Sequence, residues 1–260
     1  MINIKTKEEI EIMREGGRIL AEVLFTLIES VRPGVSELDI DKLAETLILK
    51  AGGEPAFKRV KDYKNTICVS TNDVVVHGVP TDYTFKEGDV VGIDCGVYYK
   101  GFNTDMAETL RVSTENEGLR TKNSSNEIDR FLETGMKALQ AGINAAHLGN
   151  RVGHISRAIQ SIVDKEGYSV VKSLVGHGIG QNLHEEPDVP GYLSQSLDKT
   201  SELRQGMAIA IEAIYNMGKD DVIYSNSDGW TIKTKDQSLS GLFERTVAIT
   251  KEGPLILTKK

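Results

Sequence analysis

The sequence predicts an α+β fold made of two similar halves. In each half a pair of apolar patterns with helical period is followed by strand-like runs. A hairpin pattern at 88–112 supports the strand content, because β-branched and aromatic residues there flank a short loop that contains glycine. The residues of the two halves do not repeat, so the prediction depends on the order of elements alone.

The first half begins with two predicted helices. Thr6 followed by Glu9 is a capping-box pattern, and apolar residues then recur at helical spacing to about Val31. Ser36 followed by Asp39 predicts the start of a second helix. Strand and loop patterns follow from 66 onward. The predicted apolar face of the second helix consists of Leu38, Leu43, Leu47 and Ile48.

The second half repeats the same order of elements. Apolar stripes at 128–139 and 152–163 predict two helices, and a polar tract at 113–126 predicts the connection between the halves. Three strand-like runs then follow, at 168–175, 207–215 and 242–250. We therefore expect one domain over 1–260, with halves at about 1–115 and 125–260.

Composition narrows the class of protein. The chain of 260 residues is 39% hydrophobic and 27% charged, which is typical of globular proteins. Its net charge of −7 argues against nucleic acid as a main partner, since phosphate binding needs clustered positive charge. The two cysteines form no disulfide framework, and no secretion signal or transmembrane-length apolar run is visible. We expect a cytoplasmic protein with no membrane partner, and a monomer because no coiled-coil pattern is present.

Two acids lie on the arms of the predicted hairpin. A loop of even length centred between Tyr99 and Lys100 would place Asp94 directly opposite Asp105. Carboxylates opposed in this way, with Cβ atoms about 5 Å apart, destabilise a sheet unless a cation lies between them. A solvated pair of acids near a turn is the alternative, and these two residues alone do not decide between them.

Three more polar residues lie in apolar or glycine-rich surroundings. Glu212 interrupts the apolar run GMAIAIEAIY, where an ionised carboxylate needs a metal or an ion pair. Glu244 begins an apolar strand, and a pair with the adjacent Arg245 is its alternative. His177 lies between glycines in VGHGIG, where the backbone can approach a ligand closely.

Two further histidines do not by themselves indicate a site. His77 lies at a strand end in VVVHGVP, where a structural hydrogen bond is the more common role. His184 lies in LHEEPDVPG, but Asp188 replaces the second histidine of an HExxH zinc motif. Pro187 would also break the helix that this motif requires. A zinc-protease motif of that type is therefore excluded.

The four acids described above and His177 together form a hard, oxygen-rich set of possible metal ligands. Four carboxylates and one imidazole carry too much negative charge for one ion, but they suit two divalent ions bridged by carboxylates. Ions of this kind lie about 3.5–4 Å apart and activate water at neutral pH. The set consists of Asp94, Asp105, His177, Glu212 and Glu244.

The motifs VVVHGVP, IDCG, NTDMA, GHGIG, HEEP, AIEA and WTIKTKDQSLSGLFERT occur in this order over nearly the whole chain. The sequence thereby resembles the type I methionine aminopeptidases. That resemblance implies the pita-bread fold around an antiparallel sheet, and removal of the N-terminal methionine from peptides and nascent proteins with a small second residue. It also implies two divalent ions as cofactors (Co²⁺, Mn²⁺, Fe²⁺ or Zn²⁺). Transient contact with the ribosome is implied by the resemblance alone.

The resemblance also implies a role for each candidate residue. Asp94 would bind one ion, His177 and Glu212 the other, and Asp105 and Glu244 both. Glu212 would accept a proton from the attacking water. His77 would lie near the scissile amide and the substrate amine, and His184 would hydrogen-bond the substrate carbonyl. The methionine pocket would be lined by Tyr63, Cys68 and Trp230.

The sequence departs from the family pattern near the pocket. Leu183 replaces the usual aromatic before HEEP, and Ala213 replaces the usual proline after the metal-binding glutamate. The Gly-Tyr and Gly-Phe-Pro pattern appears as Arg59-Val60 and Asp62-Tyr63-Lys64. A pocket change of this kind alters the free energy of substrate binding by about 1–3 kcal/mol. The resemblance therefore implies the reaction more directly than it implies which substrate side chain is preferred.

Two other functions remain alternatives. Xaa-Pro aminopeptidases and dipeptidases look similar over the catalytic half, but they generally carry an additional N-terminal domain. A non-catalytic pita-bread module that binds a protein partner would lack one or more of the five ligands, and all five are present here. A type II methionine aminopeptidase would need an insertion that the 28 positions between His184 and Glu212 cannot hold.

Overall fold

The computed structural model describes residues 2–114, 127–225 and 228–260. The predicted connection at 113–126 lies almost entirely outside the described residues. Four helices form where the sequence predicts two pairs: α1 (Lys7–Ser30), α2 (Glu37–Lys50), α3 (Glu127–Ala145) and α4 (Val152–Lys165). Short 3₁₀ helices lie at Phe57–Arg59 and Leu197–Lys199. Within the described ranges, no helix has the length and hydropathy needed to cross a membrane.

The predicted capping box of α1 is confirmed, and the predicted start of α2 also forms one. The Thr6 hydroxyl accepts a bond from the Glu9 amide at the start of α1, and Ser36 and Asp39 make the equivalent contacts at the start of α2. These bonds satisfy amide groups that a helix start leaves without intrahelical partners.

The predicted apolar face of α2 is only partly correct. Ile48 is buried, but Leu38, Leu43 and Leu47 are only partly buried, and Ile40 and Ala44 take their place in the core. The helix is rotated because two acids one turn apart also face inward. The Glu37 carboxylate accepts bonds from the Thr71 and Thr81 hydroxyls, and the Asp41 carboxylate accepts bonds from the Thr66 and Ile67 amides. In this way α2 holds the segment between residues 66 and 81.

Thirteen strands complete the described part of the chain. Ten of them form one sheet in the order β1-β4-β5-β12-β9-β7-β8, with β2 on β4, β6 on β9 and β13 on β12. The other three form a small sheet in the order β10-β11-β3, and every pairing is antiparallel. The strands are β1 (Glu54–Pro55), β2 (Ile67–Thr71), β3 (Val74–Val76), β4 (Val90–Tyr99), β5 (Phe102–Arg111), β6 (Ser169–Val170), β7 (Gly176–Gly178), β8 (Glu185–Val189), β9 (Ala208–Asn216), β10 (Val222–Tyr224), β11 (Ile232–Thr234), β12 (Ser240–Thr250) and β13 (Gly253–Ile256).

The hairpin is confirmed, but its predicted register is wrong. Its loop is Lys100-Gly101, and both residues have positive φ (46° and 97°), as a two-residue hairpin turn of type I′ requires. The turn centre therefore lies one residue later than predicted. Asp94 pairs with Ala107 and Asp105 with Gly96, so the two acids are diagonal neighbours on one face.

The predicted strand at 168–175 is only partly correct. Ser169 and Val170 pair with β9, and the next residue that pairs with β9 is His177. Eight positions separate Ser169 from His177, but six separate their partners Asn216 and Ala210. The two extra residues leave the ladder as a bulge, and this irregular stretch brings Leu174 and Val175 to the wall of the pocket described below.

The helices cover one face of the sheet. α1 packs on β4 and β5, and α3 packs on β9 and β12. Strand residues alternate between the two faces, so one set is apolar and faces the helices, with Ile93, Met106, Ile211 and Phe243 among its members. The opposite face carries the alternate residues of the same four strands.

Two threonines join the halves where β5 meets β12. The Thr109 hydroxyl donates to the Leu242 carbonyl at 2.7 Å and accepts from the Leu242 amide at 2.9 Å. In the same way, the Thr246 hydroxyl donates to the backbone carbonyl of Asp105 at 2.8 Å and accepts from its backbone amide at 2.9 Å. The two contacts are related by the same offset of 137 residues (246 − 109 and 242 − 105). This repeat supports the predicted similarity of the halves.

Replacing Thr109 by valine removes the hydroxyl but keeps the shape of the side chain. The buried Leu242 amide and carbonyl then lose a partner, so we expect the free energy of unfolding to fall by about 1–3 kcal/mol. Thr109→Ser, which keeps the hydroxyl, is the matched control and should lose less. Urea unfolding of the metal-free protein measures both, and a valine variant as stable as the serine variant would contradict the bridging role.

Candidate metal centre

The open face of the sheet carries two adjacent rows of polar side chains. In the first row, Asp94 on β4 pairs with Ala107 on β5, Ala107 with Glu244 on β12, and Glu244 with Glu212 on β9. Three carboxylates thus lie along one line across four strands.

The second row is parallel to the first and is displaced from it by two residues on each strand, so it lies on the same face. Asp105 on β5 pairs with Gly96, and its backbone is held by Thr246 on β12. Thr246 pairs with Ala210 on β9, and Ala210 with His177 on β7. Each row also contains small residues, Ala107 in the first and Gly96 and Ala210 in the second. These leave space above the sheet in which the longer polar side chains converge.

All ten residues predicted for the site line one cavity of about 200 Å³. Ligand atoms of Asp105, His177 and Glu244 lie within 4.8 Å of one another, and His177 Nε2 lies 3.7 Å from Glu212 Oε1. The same cavity contains Asp94, His77, His184, Tyr63, Cys68 and Trp230.

The carboxylates are poorly satisfied by the protein alone. Asp94 Oδ1 and Glu244 Oε1 are buried without a hydrogen-bond partner. Burial raises the pKa of Asp94 to about 7, partly offset by a hydrogen bond with Asp105. Burial, and then the charge of Asp94, raise the pKa of Glu212 to about 8. Burial and neighbouring carboxylates also raise the pKa values of Asp105 and Glu244 well above their ordinary range.

His177 offers a neutral nitrogen to the same space. Burial, with a contribution from His184, lowers the pKa of His177 to about 3. Its Nδ1 lies 2.8 Å from the Gly178 carbonyl, so in the neutral ring Nδ1 carries the proton and donates it there. Nε2 is then left with a free lone pair. This arrangement is typical of a metal-binding histidine.

The other two histidines lie beside the carboxylates at the cavity. The His184 ring lies edge-on to His177, with centroids 4.3 Å apart, and it is exposed through the cavity mouth. His77 has φ of 54°, an uncommon conformation for a residue with a side chain. It is followed by Gly78, where a Cβ would lie 2.0 Å from the Val69 carbonyl oxygen. Desolvation lowers the pKa of both histidines, so both are neutral at pH 7.

An aromatic wall closes one end of the cavity. The Tyr63 hydroxyl donates to the Ile67 carbonyl and lies 3.2 Å from Cys68 Sγ. The Tyr63 ring lies edge-on to Trp230, with centroids 5.2 Å apart. Leu183 and Val60, two of the departures from the family pattern, pack against this wall.

Several wall residues were missed by the sequence reasoning. They are Phe57, Val76, Leu174, Val175, Ile214 and Leu242. Ile214 and Leu242 lie two residues from Glu212 and Glu244 on the same strands, so the two-residue period of a strand could have identified them. No local pattern indicates the others.

The alternative partner for Glu244 is not observed. The Arg245 guanidinium lies on the helix-covered face, where it pairs with the buried carboxylate of Glu108 and donates to the Ala107 and Glu244 carbonyl oxygens. Alternation along β12 places the Glu244 side chain on the opposite face. The charge of Arg245 still lowers the pKa of Glu244, but burial and the neighbouring carboxylates outweigh it, and a bound cation would supply the missing charge compensation. Four carboxylates, two of them with an unpartnered buried oxygen, and one neutral imidazole fit divalent metal ions.

The raised carboxyl pKa values predict how stability depends on pH. Between pH 7 and 8.5 the site carboxyls still bind protons in the folded state, whereas in the unfolded state their pKa values lie near 4 and they bind none. The free energy of unfolding of the metal-free chain therefore falls as pH rises from 7 to 8.5. Mn²⁺ displaces these protons, so its affinity rises over the same interval, by about tenfold per pH unit for each proton released.

Urea unfolding at pH 7, 7.75 and 8.5, with and without Mn²⁺, measures this effect. Metal-free stability that rises over this interval would show that the carboxyls are not protonated in the folded state.

Comparison with known proteins agrees with this geometry. The profile described as "Metallopeptidase family M24" matches residues 11–251. The chain is 41% identical over 258 residues to a methionine aminopeptidase of Clostridium perfringens, with 99% of both chains covered. It superposes on the crystal structure of methionine aminopeptidase from Rickettsia prowazekii with a TM-score of 0.92 at 34% identity, covering 100% of both chains.

A prolidase from Pyrococcus furiosus is less similar, with a TM-score of 0.75 and 27% identity over 99% of this chain and 65% of the prolidase. The fold is thus shared with a prolidase, whereas the two relatives that match over the full length of both chains are methionine aminopeptidases. The chain belongs to metallopeptidase family M24, in its methionine aminopeptidase group, and has the pita-bread fold of that family.

Proposed function

We propose that this metallo-aminopeptidase removes N-terminal methionine through two divalent ions held by the two rows of the sheet. Asp94 would hold one ion and His177 and Glu212 the other, and Asp105 and Glu244 would contribute a carboxylate to both. The observation that carries the proposal is the pair of rows itself, with buried Asp94 and Glu244 oxygens that no protein group satisfies. Co²⁺, Mn²⁺, Fe²⁺ and Zn²⁺ all suit this ligand set, and their availability in the cell selects among them.

When bound, the ions polarise the scissile carbonyl and lower the pKa of water to near neutrality. Glu212 would accept the proton of the attacking water through its ionised carboxylate, as a general base. His77 and His184, both neutral, act on the substrate. His184 donates a hydrogen bond to the carbonyl oxygen as negative charge develops there, and His77 contacts the scissile amide and the free amine.

We propose that the aromatic wall forms the methionine pocket. Tyr63, Cys68 and Trp230 offer a ring edge, a thiol and an indole to a flexible, polarizable thioether. The candidate metal ligands and this wall line the same cavity of about 200 Å³, and a preference for a small second residue is part of the proposal. Leu183 is narrower than an aromatic residue, so it leaves the methionine pocket wider on one side.

The wider biological setting is proposed in the same way. We propose that residues 1–260 act as one catalytic domain, because both rows draw ligands from both halves of the sheet. The substrate is the N-terminus of a peptide or of a nascent protein in the cytoplasm. A monomer contacting the ribosome only transiently is consistent with the negative net charge.

Asp105→Asn and Glu244→Gln test the ligand set directly. Each removes one anionic ligand of both ions at nearly constant volume, so we expect kcat/KM to fall below about 1% of the wild-type value. Asp198→Asn changes an exposed carboxylate outside the cavity and should leave activity unchanged. Circular dichroism verifies folding, and a folded Asp105→Asn variant with wild-type turnover would refute the assignment.

Peptide panels test the substrate preference. We expect cleavage of Met-Ala-Ser, at least about tenfold slower cleavage of Met-Lys-Ser and none of Ala-Pro-Ser with Mn²⁺, Co²⁺ or Fe²⁺. Cleavage of Ala-Pro-Ser alone would favour the Xaa-Pro reaction, and no cleavage of any peptide would favour a binding module.

A further inference from the structure

The loop 179–184 between β7 and β8 carries two residues of the cavity wall, Leu183 and His184. Its tip is polar and open to solvent, with Gln181 and Asn182 exposed, whereas Ile179 is buried in the core and Leu183 packs against the aromatic wall. Between these two apolar contacts, the loop that leads to His184 is held by polar contacts. These contacts come from two separate parts of the chain.

One holding contact comes from β5 in the first half. The Asn103 side-chain amide donates to the carbonyl oxygens of Gly180 and Gln181, both at 3.0 Å, and the Asn103 backbone amide donates to Gly180 at 2.7 Å. Asn103 is buried and lies two residues before Asp105 on the same face of β5.

The other contact is an ion pair that no part of the proposed mechanism uses. Lys5, in the segment before α1, places Nζ 2.6 Å from Glu185 Oε2, and the two side chains are only 4% and 3% exposed. Glu185 directly follows His184. Its second oxygen, Oε1, accepts the amide of Asn182 at 3.1 Å, so one carboxylate connects Lys5 to the loop.

The surrounding backbone is shaped to admit the lysine. A Cβ on Gly180 would lie 2.5 Å from Lys5 Cε and 2.9 Å from its Nζ. A Cβ on Gly206 would lie 2.6 Å from the Lys5 carbonyl oxygen, and the Lys5 amide donates to the Gly206 carbonyl at 2.7 Å. Two glycines in distant parts of the sequence thus leave space for this one side chain and its backbone.

We propose that Lys5 is a positioning residue, which acts through its buried pair with Glu185 to hold the loop 179–184 and set His184 against the substrate carbonyl. The proposal rests on the proposed function, because it assigns Lys5 an effect through His184. Losing the pair frees the loop to shift. The expected consequence is a loss in kcat rather than in KM or metal binding, since the five metal ligands lie on strands outside this loop.

Lys5→Met is the direct test, made in both the wild-type and the His184→Ala backgrounds. We expect kcat for Met-Ala-Ser to fall about tenfold in the wild-type background and less than twofold in the His184→Ala background, with KM changed less than twofold. Mn²⁺ affinity by calorimetry should stay unchanged. Lys137→Met, which removes an exposed ion pair on α3, is the matched control and should change neither parameter.

A second variant, Lys5→Met combined with Glu185→Gln, removes both charges and avoids an unpaired buried carboxylate that could prevent folding. It should show the same loss in kcat. Amide hydrogen exchange should become faster at 179–184 and stay unchanged on β12. An equal loss of kcat in both backgrounds, or a wild-type kcat, would overturn the proposal.

A His184→Ala variant with wild-type kcat would instead refute the proposed role of His184. In that case the exchange rates alone decide whether Lys5 holds the loop: faster exchange at 179–184 supports the contact, and unchanged exchange overturns it.

Discussion

Four carboxyl groups crowded onto one face of a sheet are the constraint on which the rest of this structure depends. Each is costly to ionise where it lies, because burial and like charges favour the protonated form. Arg245 is directed to the opposite face, towards Glu108, and its charge offsets only a small part of the rise that burial and the neighbouring carboxylates cause in the pKa of Glu244. The surrounding histidines are neutral. The protein's own groups therefore leave the site carboxylates largely without charge compensation. Divalent ions would bind the oxygens of these carboxylates.

The site exists only where the two halves of the sheet join. Asp94 and Asp105 come from the first half, and Glu244, Glu212 and His177 from the second, so neither half holds a complete set. The junction of β5 and β12 has few backbone pairs, and Thr109 and Thr246 bridge it with hydroxyl groups. On the helix-covered face, Arg245 on β12 donates to the Ala107 carbonyl on β5 across the same junction. Stability and ligand geometry are therefore supported by the same contacts.

Local sequence patterns predicted much of this arrangement, but not its long-range contacts. A carboxylate inside the apolar run around Glu212 conflicts with its surroundings, and that conflict by itself indicates a site. The register of the hairpin could not be read, because a positive φ at Lys100 has no signature in a β pattern. The inward-facing Glu37 and Asp41 lie outside the predicted apolar face of α2, and no local pattern indicates their partners at 66–81, which lie in other elements. Lys5 and Glu185 lie 180 positions apart, and nothing in either segment indicates the other.

The most direct test of the central claim is a crystal structure of the Mn²⁺-loaded chain with anomalous diffraction recorded at the manganese edge. The account predicts two anomalous peaks about 3.5–4 Å apart above the two rows, with Asp105 and Glu244 bound to both. A single peak, or two peaks that leave Asp105 or Glu244 without an ion, would contradict it.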